Sequence, residues 1–343
     1  MAQLSLRSEG ASVHVSTGAR GRSHSRRAGK QIAIPDTTTM EDEPTTAFAD
    51  VTERDVRTAF EEQDYVAEDE IVTTVLLALR LGKPLLVEGE PGAGKTELAK
   101  VLASSLGDEL IRLQCYEGLT AEHALYEWNY TKQLLAVQSG EDAEASVFSE
   151  EYLLERPLLR ALRHDGDFPP VLLIDEIDRA DDEFEALLLE VLSDFQVSVP
   201  ELGTVSAERP PIVIVTSNRT RALSDALKRR CLYLHVEPPS VEKETAILCR
   251  KIPQLDGVVA TELCAMAARL REEPLRKPPG AAETIDWARA IAMMRDDGDG
   301  TLSRETLQNT LGCLLKEVED VERVDNDLLT ELLDTAEQAR ADS

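Results

Sequence analysis

The sequence predicts an α/β fold, a parallel sheet covered by helices on both faces, with an all-helical domain after it. Three observations predict it. Short apolar runs such as "KPLLVEG", "PPVLLIDE" and "PIVIVTSN" alternate with segments of helical spacing. A strand buried on both faces reads as an unbroken apolar run, and parallel neighbours need helical crossovers. A glycine-rich stretch, Gly89-x-x-x-x-Gly94-Lys95-Thr96, joins one of these runs to an amphipathic segment. After Pro238-Pro239 the strand-like runs stop, and the remaining segments carry helical periodicity.

In chain order, residues 1–45 are rich in Ser, Gly, Arg and Thr without periodicity, the signature of a disordered tail. Residues 46–238 form the expected α/β domain. Ile71, Val72, Val75, Leu76 and Leu79 place one apolar face on a helix. "KPLLVEG" is a strand, and "KTELAKVLASSLG" is a helix closed by Gly107. "ELIRLQC" and "PPVLLIDE" are strands, and "DEFEALLLEVLSDF" is an acid-capped helix. "PIVIVTSN" is a strand, "RALSDALKRRC" a helix and "LYLHVE" the last strand. Residues 239–343 form the helical domain, with "SVEKETAILCRKI", "ATELCAMAARLREE", "AETIDWARAIAMMR", "RETLQNTLGCLLKEVEDV" and "DLLTELLDTAEQARA" as five helices.

Composition limits the classes of function. The 343 residues are 42% hydrophobic, enough for a proper core, and no apolar stretch approaches the roughly 18 residues of a membrane span. The N-terminus lacks the apolar centre of a signal peptide, which points to the cytoplasm. Five widely spaced cysteines without a CxxC pair read as buried free thiols. Asp+Glu number 65 against 37 Lys+Arg, of which 10 are Lys. Such an acidic, lysine-poor surface suits a halophilic cell, where salt screens self-repulsion. It weakens the case for a nucleic-acid partner. Six basic and two acidic residues precede Met40, so residues 40–343 carry −32 of the net −28. The change of sign leaves two readings open, a start at Met40 or a basic flexible tail. "RDDGDGTLSRET" resembles a calcium loop but puts Arg295 and Thr306 where acids are required, so it reads as a turn.

The residues that carry chemistry lie on the α/β part. Gly89, Glu90, Pro91, Gly92, Ala93, Gly94, Lys95, Thr96 and Glu97 span a complete P-loop and the first helical turn. Its backbone N–H groups surround a β-phosphate at a helix N-terminus, Lys95 reaches the β- and γ-phosphates, and Thr96 ligates Mg²⁺. "VLLIDEIDRA" ends a strand in two acids. Asp175 is expected in the Mg²⁺ shell and Glu176 as the group that orients and polarises the attacking water. Asn218 ends another apolar strand, where its amide can hold that water against the γ-phosphate. Arg229 and Arg230 end a helix, either as dipole complements or as groups for a neighbouring subunit's site.

Together the P-loop, "LLIDEIDRA", "VTSN" and "DALKRRC", followed by a helical lid, resemble an AAA+ ATPase, and "DEIDRADDEFEALLLEVLSDFQVSV" resembles more narrowly its MoxR branch. "LYEWNYTKQLL", "RPLLRAL", "ALKRRCLYLHVEPP" and "AETIDWARA" are similar to the carbon-monoxide-dehydrogenase accessory (CoxD-like) group. The resemblance implies an ATP-hydrolysing hexameric ring with ATP between subunits. It implies chaperone-like maturation of metalloenzymes, with a partner that carries a von Willebrand A domain. It also implies an insertion at about 116–140, a β-hairpin at about 195–207 and Arg230 as the arginine finger, with Arg229 second. Backbone groups of Tyr65 and Val66 are implied to lie against adenine. One departure stands out: Thr284 occupies the lid position where the family commonly has a sensing arginine, and Arg289 lies about a turn further on. Two other readings stay open: a nucleotide-gated adaptor with negligible turnover, and a DNA-linked AAA+ motor subunit.

Overall fold

A computed structural model of the chain describes residues 47–139, 149–199, 203–294 and 302–342. The N-terminal tail and most of the calcium-like turn lie outside the described residues.

Five parallel strands form the central sheet: β1 (Leu85–Gly89), β2 (Leu110–Gln114), β3 (Val171–Asp175), β4 (Ile212–Ser217) and β5 (Leu232–Val236). Their order is β2-β3-β4-β1-β5, so β1 sits between β4 and β5 although they follow it by more than 120 residues. Successive side chains on a strand point to opposite faces, and the two cores show it. Leu86, Leu172, Ile174, Val213 and Val215 enter one cluster, whereas Leu85, Val87, Val171, Leu173 and Ile214 enter the other. The second cluster is closed by α1 (Glu53–Glu62), α2 (Asp69–Leu81) and α3 (Lys95–Ser105). The first is closed on its face by Pro157–Leu162 and by α4 (Asp182–Asp194).

Helix ends follow side-chain chemistry. Thr52 and Asp55 make a reciprocal capping box at the start of α1, a helix that the sequence reading had not placed. Ser224 caps α5 (Asp225–Arg230), so this helix begins four residues later than "RALSDALKRRC" suggested. The expected hairpin is present as Gln196–Val199 paired antiparallel with Gly203–Ser206. The segment after Cys115 holds a short helix (Ala121–Ala124), a strand (Tyr126–Trp128) paired with Leu153–Glu155, and a helix (Tyr130–Ser139).

The C-terminal region is helical: α6 (Val241–Lys251), α7 (Gly257–Arg271), α8 (Ala281–Met294), α9 (Arg304–Leu314), α10 (Val318–Arg323) and α11 (Asn326–Asp342). One expected helix is two. "RETLQNTLGCLLKEVEDV" breaks at Leu315, whose extended backbone (φ −101°, ψ 135°) lets both Leu314 and Leu315 be buried. Trp287 anchors this core, its indole N–H donating to Thr310 at 2.9 Å. Of the five thiols, Cys115, Cys231 and Cys264 are buried, and burial pushes each up to about 12. Cys249 and Cys313 are only partly covered, which corrects the expectation that all five are buried. No helix among the described residues is long and apolar enough to cross a membrane.

Candidate nucleotide site

The P-loop follows from where β1 ends. Gly89 passes so close to β5 that an added Cβ would lie 2.2 Å from the Val236 carbonyl oxygen. Gly92 (φ +83°) and Gly94 (φ +91°) take left-handed backbone that side chains rarely adopt, turning the loop into the N-terminus of α3. A Cβ on Gly94 would meet nothing within 4 Å, so open space faces the loop there. The Lys95 ammonium is buried and donates to the carbonyls of Gly89 and Glu90, each at 2.7 Å. Burial lowers its pKa, while Asp178, Asp175, Glu176 and Glu90 act in the opposite sense. This glycine-shaped backbone, with a lysine and a hydroxyl at the helix start, fits a nucleotide phosphate chain.

The acidic pair at the end of β3 lies beside it. Asp175 is 3% exposed. Its Oδ1 accepts from the Thr216 hydroxyl and lies 3.3 Å from Thr96 Oγ1. Its Oδ2 accepts from Arg112 Nε at 3.0 Å and Nη2 at 2.6 Å. A carboxylate and a hydroxyl so close together fit Mg²⁺, which takes oxygen ligands. Glu176 adopts left-handed backbone (φ +57°), costing about 1–2 kcal/mol, with its N–H held by Thr216 Oγ1 at 3.0 Å. Its carboxylate accepts from Gln114 Nε2 at 2.9 Å, Arg179 Nη1 at 3.1 Å and Asn218 Nδ2 at 3.4 Å. Lys95, Thr96, Asp175, Glu176 and Asn218 therefore converge on one edge of the sheet.

Other residues named from the sequence fall around this centre. Tyr65 donates its N–H to Phe60 O at 2.9 Å and accepts at its own carbonyl from Arg250 at 3.3 Å. Val66 makes neither bond among the described residues, so it is the better placed of the two to offer backbone to a base. The Tyr65 ring packs on Phe60, and burial raises its phenol above the ordinary range. Burial works against the Glu97 charge, but Lys251 and Lys100 hold its pKa low; Lys251, on the lid helix α6, lies 2.5 Å away. Glu90, Pro91, Asn218, Arg219, His235 and Glu237 help line a cavity of about 300 Å³ at the loop's mouth. Arg229 and Arg230 are exposed at the end of α5, and neither has an ion-pair partner among the described residues.

The lid meets the loop through backbone. A Cβ on Gly92 would sit 3.4 Å from the Gly280 Cα. Thr284 is fully buried, accepting from Arg271 Nη2 at 3.0 Å, while Arg271 also holds Glu244 through two bonds of 2.7 and 2.8 Å. Arg271 further donates to the Pro279 carbonyl at 2.7 Å, which fixes the turn that rests on the P-loop. Arg289 is a surface residue paired with Asp286 at 3.2 Å.

Sequence reasoning missed Arg112, Gln114, Thr216 and Asp178. Arg112 and Gln114 share one face of β2 at spacing i, i+2, and two polar side chains on one face of an apolar strand were the available signal. Asp178 is 4% exposed and accepts from Asn218 N at 3.1 Å, Thr220 N at 2.9 Å and Thr220 Oγ1 at 2.6 Å. It fixes the loop that aims Asn218.

A P-loop on a β2-β3-β4-β1-β5 sheet, with paired acids at the adjacent strand end and a helical region after it, is the P-loop AAA fold. Residues 84–231 match the AAA domain of the dynein-related subfamily, so this part of the chain is similar to that domain. YehL of Escherichia coli is 29% identical over 249 residues, covering 69% of this chain and 60% of its own length. A RuvB subunit of the Holliday junction branch migration complex, from Rubrobacter xylanophilus, is 28% identical over 249 residues, 68% of this chain and 58% of its own. The chain spans about three-fifths of the length of these curated relatives. A variant of Thermotoga maritima RuvB superposes with a TM-score of 0.41 at 17% identity, covering 85% of this chain and 72% of that one. The matches reach the AAA+ class; the MoxR-type resemblance is finer than they are.

Proposed function

We propose that the protein hydrolyses Mg-ATP in a ring and spends the energy on remodelling protein partners, as its MoxR-type resemblance implies. The observation that carries the hydrolytic part is Glu176. It is held by Gln114, Arg179 and Asn218 next to Asp175 and Thr96, an arrangement that a pure binder does not need. Lys95 leaves the Gly89 and Glu90 carbonyls to hold the β- and γ-phosphates. Asp175 and Thr96 would hold Mg²⁺, whose chemistry is to neutralise charge on the phosphate oxygens. Glu176 orients a water and accepts its proton, and Asn218 fixes that water's position. Arg230, exposed and without an ion-pair partner among the described residues, reaches the neighbouring subunit's site. A hexamer, a cytoplasmic setting, a partner bearing a von Willebrand A domain and a metalloenzyme client complete this reading.

A second reading, a DNA-linked motor, is favoured by the similarity to RuvB subunits. Light scattering in high-salt buffer, with and without Mg-ATP, on wild type and Glu176→Gln tests the first. Assembly driven by ATP, with turnover in wild type and about 10²–10³-fold less in the variant, supports it. Two proteins that stay monomeric and release phosphate at equal rates would sink it. Duplex or four-way-junction DNA that raises turnover several-fold would move the reading to the motor.

A further inference from the structure

We propose that Arg112 is a resident counter-ion for Asp175 that a divalent cation must displace, so that this arginine sets the metal affinity of the site. The proposal rests on the reading of Asp175 and Thr96 as the metal-holding pair. A buried carboxylate is unfavourable unless it is paired and hydrogen-bonded. Asp175 finds its pairing in Arg112, whose Nε and Nη2 both donate to Oδ2. The neighbouring cations are committed elsewhere: Lys95 to two loop carbonyls, Arg179 to Glu176.

The two partners differ in access to water. The Asp175 side chain is 4% exposed, that of Arg112 52%. Arg112 stands on β2, the edge strand of the sheet, and so can swing into solvent without opening the core. The oxygen it occupies lies 3.5 Å from Thr96 Oγ1. A divalent cation that this carboxylate and hydroxyl would hold has the guanidinium's positive charge on the same carboxylate, and that repulsion opposes its binding. Arg112 Nη2 also donates to Gln114 Oε1, and Gln114 in turn holds Glu176. Departure of the guanidinium therefore frees one end of the amide that restrains the water-orienting acid. Arg112 acts through Asp175 and Gln114, as a positioning residue.

The test is Mn²⁺ binding, followed by electron paramagnetic resonance on the full chain with ADP present, for wild type, Arg112→Ala, Arg112→Gln and Arg112→Lys. Loss of a competing charged hydrogen bond is expected to tighten Mn²⁺ binding about tenfold in the Ala and Gln variants, with Lys near wild type. A residue needed only for local structure would weaken metal binding when removed, the opposite sign. Thermal melts supply the second readout: without metal the two neutral variants melt below wild type, and Mn²⁺ with ADP raises their midpoints more than it raises wild type. The Gln variant keeps a donor toward Asp175 and guards against a loss of fold in the Ala variant. Equal or weaker Mn²⁺ binding in the neutral variants, or equal metal-induced shifts, overturns the counter-ion role while leaving the nucleotide site standing. Absence of Mn²⁺-ADP binding by folded wild type overturns both.

Discussion

Five arginines among the described residues fall into two groups. Arg112, Arg179 and Arg271 are tied to carboxylates, two of which are nearly or fully buried: Asp175 at 3% and Glu244 at 0% exposure. Arg229 and Arg230 end α5 in the open, without an ion-pair partner among the described residues, in a chain of net charge −28. With acids in such excess, an unpaired guanidinium pair is the more informative group. Tied arginines hold the chain's own architecture together, and in the proposed ring the open pair is available to a second subunit. The contrast predicts that the lid arginine Arg271 is read chiefly in stability and Arg230 in turnover.

The largest effect expected from this contrast is for Arg230→Ala. Turnover should fall about 10³-fold, the lower end for an arginine that stabilises phosphoryl-transfer charge. The melting temperature should stay within a degree of wild type. Mixing this variant with Glu176→Gln sharpens the point, because in the proposed ring a mixture brings an intact Glu176 and an intact Arg230 to some interfaces. Recovery of phosphate release on mixing shows a shared site. Two variants that stay inactive together, or an Arg230→Ala protein as active as wild type, break the contrast.

Next comes Arg271→Ala, which strips the Glu244 carboxylate of its bidentate partner. Removing one member of a buried pair costs about 3–5 kcal/mol, a drop of at least about 6 °C for a domain of this size. Scanning calorimetry reads it. The same change frees the Pro279–Gly280 turn, so nucleotide affinity should weaken as well, by about tenfold or less. A variant as stable as wild type would show that the lid pair is no anchor.

Much of this was legible in advance. The sheet was written in runs of apolar residues and the loop in its glycines, because burial on both faces and left-handed backbone each restrict residue type severely. The five residues that converge at the sheet edge were all named from the sequence. What was not legible depends on strand order. Gln114 reaches Glu176 because β2 is laid beside β3, and the linear chain separates these residues by 62 positions. The α9–α10 break was hidden for another reason: adjacent leucines at 314 and 315 suit a helix equally well, and only the tertiary core decides that both go inside. Asp178 lies within the "VLLIDEIDRA" motif, yet nothing local shows that its oxygens accept from Asn218 and Thr220.

Asp178→Asn is the third test, of a carboxylate paired with hydrogen-bond donors instead of an arginine. An amide presents N–H where the native loop also presents N–H, leaving a buried donor unsatisfied at a cost of about 2 kcal/mol. Urea midpoints measure it. Burial opposes this group's charge, yet the bonds from Thr220 and Asn218 hold its pKa below the ordinary value. A depressed carboxylate contributes stability that is fully present above about pH 4, its unfolded value, and is lost as pH falls through the folded value. The gap between wild type and variant should therefore be full at pH 7 and shrink below about pH 4. A gap that does not change with pH would assign the effect to shape.

The smallest effect is expected for Arg229→Ala. Both arginines are exposed and both end the same helix, so a dipole or surface-charge role would make the two substitutions equal, each within about 0.5 kcal/mol in stability. A role in a neighbour's site separates them, because successive residues on a helix point about 100° apart and only one can lie in line with the phosphates. Turnover in Arg229→Ala should then fall by no more than about tenfold, against about 10³-fold for Arg230→Ala. Should the order reverse, the geometry of the shared site stands and the finger is Arg229. If both variants lose the same small factor, the open pair is a helix cap, and the distinction between tied and untied arginines carries no functional meaning.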